Sequence, residues 1–207
     1  MKSQTLISFL VYVLAGSAWA MPERVLILGD SLTAGSFVRE DQSYPYLLQQ
    51  RLIEEGQLDV TLVPAGIYGK KTKDAQTRLQ KHLREDTELT ALMLVLGAND
   101  GLRGRGIEIV KSNLVGTILL AQSRGLDVLL VGMKLPLVYP EKYRLAFEKM
   151  YSDIATETQV SFLPFLLEGV GGHPELNLPD TLHPNAAGYR VVAKHVYPYL
   201  IEFLGLR

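Results

Sequence analysis

The chain has 207 residues, with 21 Lys and Arg against 22 Asp and Glu, a formal net charge of −1 and no cysteine. A balance so close to neutral, without a basic stripe, gives nucleic acid little electrostatic reason to bind. The missing thiols exclude disulfides, thiol nucleophiles and thiolate metal sites, and the length suits one domain whose core needs no covalent staple.

Met1-Lys2 is a short basic start, Leu6 to Gly16 is almost wholly apolar, and Ala18-Trp19-Ala20 places small residues where a signal peptidase cuts. Residues 1–20 therefore read as an export signal and residues 21–207 as the mature domain. The apolar run falls well short of the roughly 20 residues that cross a bilayer, so no stable membrane anchor is expected once the signal is removed. A periplasmic or secreted location follows. Cleavage also removes Trp19, the only tryptophan.

Along the mature chain, short apolar runs alternate with longer segments of helical periodicity. The first run, Arg24–Leu28, precedes Tyr44–Glu55, which carries Tyr44, Leu48 and Leu52 on one face. Val60–Val63 precedes Thr72–Arg84, and Ala91–Leu96 precedes Ile107–Arg124, where Val110, Leu114, Thr117, Ile118 and Ala121 are in register. Asp127–Met133 precedes Glu141–Thr158, and Val160–Leu163 precedes a long irregular stretch, Leu166–Leu182. A last helix after Pro184 spaces Val192, Val196, Tyr199 and Phe203 on one side.

Nearly continuous apolar strands demand a sheet covered on both faces, and right-handed crossovers make such a sheet parallel. The expected fold is a doubly wound α/β three-layer sandwich with five parallel strands. Ligands in such folds sit beyond the carboxyl ends of the strands, so the residues after each strand carry the information. After the first three strands come Gly29-Asp30-Ser31-Leu32, Gly66-Ile67-Tyr68-Gly69 and Gly97-Ala98-Asn99-Asp100. A strand order of 2-1-3-4-5 places Ser31 between Gly69 and Asn99.

Acyl transfer needs a hydroxyl, a base to activate it, a group that fixes the base, and donors for the oxyanion. Ser31 supplies the hydroxyl; its own N–H, the N–H of Gly69 and the side-chain amide of Asn99 supply three donors. Of four histidines, His82 and His195 fall in helices and read as surface residues, and His173 lies in the irregular stretch. His183 differs. Asp180-Thr181-Leu182-His183 sets a carboxylate three residues before an imidazole, a spacing that lets the carboxylate hold Nδ1–H and leave Nε2 free as a base.

These blocks resemble those of the SGNH hydrolases, also called GDSL lipases or esterases. The family's serine, glycine, asparagine and histidine correspond to Ser31, Gly69, Asn99 and His183, with Asp180 in its Asp-x-x-His place. The stretch Gly97–Gly104 is particularly similar to the branch holding thioesterase I, arylesterases and lysophospholipases. That resemblance implies a flavodoxin-like fold and hydrolysis of acyl esters, with thioesters as a second substrate class, and with neither metal nor cofactor. Two departures stand out: Pro64 where asparagine is frequent, and Lys70-Lys71 after Gly69 where Asp-Thr is frequent. The two lysines read as a solvated loop pair; the alternative is attraction for an anionic head group.

Leu135, Pro136, Leu137 and Tyr139 follow the fourth strand and Phe165 follows the fifth, so all five are candidates to line an acyl groove. Equally, they simply pack on the sheet. Gly101, Gly104 and Gly106 suggest a loop able to move on substrate binding. A carbohydrate acetylesterase uses the same catalytic residue types in a polar groove. A non-catalytic nucleotide- or sugar-binding α/β module is the alternative outside enzymes, and the absence of a phosphate-loop glycine pattern after the first strand argues against it. The expected partner is a small acyl ester; nothing in the sequence fixes an oligomeric state, and a monomer is compatible with it.

Overall fold

The computed structural model describes residues 22–206, so the expected export signal lies outside the described residues. Five strands, β1 (Glu23–Gly29), β2 (Val60–Gly66), β3 (Ala91–Val95), β4 (Asp127–Val131) and β5 (Ser161–Leu163), form one all-parallel sheet in the order β2-β1-β3-β4-β5. The helices are α1 (Tyr44–Glu54), α2 (Ala75–Glu85), α3 (Ala98–Gly101), α4 (Ile107–Gln122), α5 (Glu141–Thr158) and α6 (Ala186–Phe203). One layer is α1 packed on α6; the other runs α2, α4, α5. This is the expected doubly wound, flavodoxin-like sandwich. Among the described residues, no helix is long and apolar enough to cross a membrane.

Strand position explains strand composition. β3 lies in the middle, covered on both faces, and all five of its residues, Ala91-Leu92-Met93-Leu94-Val95, are buried. β2 is an edge strand, and its burial alternates from Val60 to Ala65 with Thr61 and Pro64 exposed. An edge position also accommodates Pro64, which pairs in register with Ile27 but has no N–H to donate. At the carboxyl edge, Arg78 of α2 donates to the carbonyl oxygens of Gly29, at 2.9 Å, and Ala65. The ends of β1 and β2 are thereby clamped beside the residues that follow them.

Several expectations shift in detail. β5 starts at Ser161 because Gln159 adopts a left-handed conformation (φ 54°) that ends α5, and Val160 N–H bonds back to the Ala155 carbonyl. The stretch after β5 is not wholly irregular: Pro174–Leu176 forms a 3-10 turn, and Asn177 bridges Pro184. His82 and His195 are half-buried rather than surface residues, and the His195 ring Nε2 lies 3.0 Å from the Phe165 carbonyl oxygen. The short α3 carries too few residues to leave a periodic signal. Gly101 serves packing, since a Cβ there meets Phe147 and Leu135 side-chain atoms at 2.8 and 2.7 Å.

Candidate active site

The chain turns sharply as it leaves β1. Ala34 N–H donates to the Asp30 carbonyl and Ser36 N–H to the Ser31 carbonyl, both at 3.0 Å, while the Asp30 carboxylate accepts Leu32 N–H at 3.0 Å. This turn holds Ser31 at the carboxyl edge of the sheet with 6% of its surface exposed.

His183 reaches the same place from the other end of the chain. Leu178 N–H bonds the His183 carbonyl at 2.8 Å and Asn185 N–H the Leu176 carbonyl at 2.9 Å, so two strands of loop are pinned together. Between them Thr181 takes a left-handed backbone (φ 60°), tightening the turn. Asn185 then caps α6, its side-chain oxygen accepting from the Ala187 and Gly188 N–H groups, an arrangement that stabilises a helix by about 1 kcal/mol. His183 therefore sits on the last residues before a firmly started helix.

The resulting contacts are short. His183 Nε2 lies 2.8 Å from Ser31 Oγ, and its Nδ1 lies 2.6 Å from Asp180 Oδ2. Asp180 Oδ1 accepts the N–H groups of Leu182 and His183, each at 3.0 Å. A carboxylate at Nδ1 fixes the proton there and leaves Nε2 to accept from the serine hydroxyl. Burial alone pushes the Asp180 carboxyl up, but the two N–H donors and the imidazole outweigh it and hold the group below the usual aspartate value.

Asn99 comes from α3 on the opposite flank. Its Nδ2 donates to Asp30 Oδ2 at 3.0 Å, and its Oδ1 accepts from Arg103 Nη1 at 2.8 Å. One of the two Nδ2 hydrogens is thus committed to Asp30 and the other stays available. Gly97, which starts α3, has φ 122°, and a Cβ there lies 2.0 Å from the Tyr151 hydroxyl. Only glycine admits this approach. Asp100, the residue after Asn99, is buried and accepts Thr72 N–H at 2.8 Å, tying the loop after β3 to the loop after β2.

On that second loop Gly69 has φ 71°, with open space where a Cβ would project. Among the described residues neither Gly69 N–H nor Ser31 N–H has an acceptor. Lys70 reaches toward Asp74 at 4.0 Å and neither lysine lines the cavity at Ser31, which favours the solvated reading of that pair.

Asp30 is the residue that sequence reasoning passed over. It is 1% exposed, and burial pushes its carboxyl up to about 6 despite opposing contributions from Leu32 N–H, the Asn99 amide, His183 and Arg78. Its position immediately before Ser31 was the available signal, but a turn aspartate has many other uses. Arg103, Tyr68 and Phe37 were also missed.

A cavity of about 740 Å³ opens beside Ser31. Leu135, Pro136, Leu137, Tyr139 and Phe165 all line it, together with Leu102, Met133 and Leu167. Its far wall is braced, because Tyr139 Oη donates to the Leu102 carbonyl and Tyr143 Oη to the Arg105 carbonyl, both at 2.7 Å. Two phenols thus tether the glycine-containing loop. Among the described residues no three His, Asp or Glu side chains gather at metal-ligating spacing.

A sequence model of the GDSL-like lipase/acylhydrolase family matches residues 27–191. The chain is 35% identical over 199 residues to an arylesterase of Vibrio mimicus, covering 96% of this chain and 98% of the relative. It is 36% identical over 186 residues to esterase TesA of Pseudomonas aeruginosa, covering 89% and 91%. Among solved structures, the psychrotrophic esterase EstA from Pseudoalteromonas sp., inhibited by monoethylphosphonate, superposes with a TM-score of 0.84 at 28% identity, covering 88% of this chain and 99% of that one. On these matches the chain belongs to the GDSL-like lipase/acylhydrolase family, and it is a serine-type hydrolase of carboxylic esters.

Proposed function

We propose that the protein is an exported esterase that cleaves small acyl esters through an acyl-enzyme on Ser31, with His183 as general base and Asp180 as the group that orients it. The single observation that carries this reading is the 2.8 Å approach of His183 Nε2 to Ser31 Oγ. His183 takes the hydroxyl proton as Oγ attacks the ester carbonyl. The oxyanion receives the Ser31 and Gly69 N–H groups and the uncommitted Nδ2 hydrogen of Asn99. As the carbonyl re-forms, the bond to the leaving oxygen breaks and His183 returns the proton to it. Water, activated by the same imidazole, then releases the acid and restores Ser31. Every proton is returned, and no other reactant enters.

The mostly apolar wall around Leu135, Met133 and Phe165 supports an acyl chain rather than a polar sugar as the group in the cavity. Export is supported by residues 1–20 as sequence, and cleavage after Ala20 gives a mature protein starting at Met21. The test is a chain-length series of p-nitrophenyl esters and matched thioesters with the mature protein, run beside Ser31→Ala and His183→Ala. Each substitution is expected to lower turnover by roughly 10⁴-fold or more. Undiminished turnover in either variant overturns the mechanism. N-terminal sequencing of the exported protein checks the processing site.

A further inference from the structure

Two large aromatic side chains stand in the open around the imidazole and have no part in the mechanism above. Phe37 and Tyr68 are 65% and 64% exposed. The Tyr68 ring lies nearly parallel to the His183 ring, 17° apart with centroids at 6.3 Å. Phe37 meets the same imidazole edge-on at 5.2 Å and meets Tyr68 edge-on at 5.8 Å. The three rings form one shelf.

Neither phenylalanine nor tyrosine is left in water without cost, since burying such a side chain stabilises by roughly 1.5–3 kcal/mol. Phe37 carries a second cost. Its backbone is left-handed, with φ 73°, a conformation a non-glycine residue holds only when its surroundings impose it. The hydrogen bonds of the flanking residues, Ser36 N–H to the Ser31 carbonyl and Val38 N–H to the Gly35 carbonyl, supply that constraint. An exposed ring on a strained residue beside a reacting imidazole indicates a surface kept for something that binds there.

The chemistry of ester cleavage says what. The tetrahedral carbon has four substituents: Oγ of Ser31, the oxyanion, the acyl chain and the leaving oxygen. The acyl chain has the cavity beyond Leu135 and Phe165. The leaving oxygen must lie within reach of His183 Nε2 to take its proton, so the rest of the leaving group extends along the imidazole. Tyr68, which also lines that cavity, and Phe37 are the aromatic side chains beside His183 there. Tyr68 also directly precedes Gly69, so the oxyanion donor and the ring move as one piece of backbone.

We propose that Phe37 and Tyr68 form the leaving-group subsite of this esterase and select esters whose alcohol portion is a planar aromatic ring. This rests on the roles given above to Ser31 and His183. A flat ring stacks on the shelf by face or edge, whereas a compact alkyl alcohol leaves both rings wet.

The experiment compares 1-naphthyl butyrate with hexafluoroisopropyl butyrate, which share an acyl group and have readily departing alcohols but differ in planarity. The readout is the ratio of their kcat/KM values in the wild type, Phe37→Ala, Tyr68→Ser, Tyr68→Phe and the Phe37→Ala/Tyr68→Ser double variant. The ratio is expected to fall about threefold to tenfold in each truncation, further in the double variant, and to hold in Tyr68→Phe. An unchanged ratio overturns the proposal. A parallel fall for both esters overturns it too, because the rings then only hold the imidazole. Failure of the underlying mechanism looks different: Ser31→Ala then hydrolyses both esters as the wild type does.

Discussion

Asn99 and Asp30 are joined by a 3.0 Å hydrogen bond from an amide to a carboxylate that is almost wholly buried. With Arg103 on its oxygen, the Asn99 amide is held from both ends, which fixes the direction of its remaining N–H. On the role proposed for Asn99, Asn99→Ala is expected to lower kcat by roughly 10² to 10³, as for the loss of one oxyanion donor. Asp30→Asn sets an amide donor against either Leu32 N–H or Asn99 Nδ2, and is expected to cost at least about tenfold. If Asp30 acts through Asn99, the double variant Asp30→Asn/Asn99→Ala falls little below Asn99→Ala alone. Independent, additive losses in steady-state kinetics contradict the coupling.

Burial of Asp30 also makes a prediction about stability. Its folded-state pKa of about 6 stands above the roughly 3.9 of an unfolded chain. Between those values the folded protein holds a proton that the unfolded chain has released, so stability falls as pH rises. The contribution is whole below about pH 4 and lost as pH passes through about 6, on the order of 3 kcal/mol in all. Asp180, held low, works in the opposite direction: its contribution is present above the unfolded value and is lost as pH falls through the folded one. Urea unfolding of wild type and Asp30→Asn at pH 4.5 and 7 separates the two, because both proteins keep Asp180. The gap between them is expected to move against the wild type at the higher pH.

Gly97 tests how the Asn99 segment is positioned. Gly97→Ala places a methyl on the Tyr151 hydroxyl and strains a backbone at φ 122°. The backbone alone costs roughly 1–3 kcal/mol. Tyr151→Phe, which gives up a 3.0 Å hydrogen bond to the Leu96 carbonyl, is expected to relieve part of the clash in the double variant. Urea midpoints report it, and a Gly97→Ala protein as stable as the wild type contradicts the packing described.

The cavity proposed above to take the acyl chain gives a substrate-length prediction. Leu167→Trp narrows the wall and is expected to reduce kcat/KM for octanoyl relative to acetyl p-nitrophenyl esters by roughly tenfold, the worth of about two buried methylenes. An unchanged ratio places the acyl chain elsewhere.

The fold was largely legible because its interior strands announce themselves. Ala91–Val95 and Val25–Leu28 are apolar without interruption, as sheet covered on both faces requires; the strand order 2-1-3-4-5 is an assumption at the level of sequence, and the sheet has that order. That Ser31, Asn99, Asp180 and His183 meet at one edge of the sheet was legible because chemistry restricts the residue types at strand ends and at the turn into α6. Less visible were the residues that act through geometry alone. Asp30 looks like any turn aspartate until its burial is seen, and Arg103 reads as one of many surface cations. Phe37 and Tyr68 gain meaning only from the 5.2 and 6.3 Å distances that bring them to His183. The half-burial of His82 and His195 likewise depends on what packs against their helices, which no local pattern encodes.

The most direct measurement is covalent labelling of the folded mature protein with a fluorophosphonate, followed by intact mass and peptide mapping. One adduct per chain, on Ser31, with labelling slowed by orders of magnitude in His183→Ala, is the expected result. A folded, stable protein that takes no label, or takes it on another residue, contradicts the account.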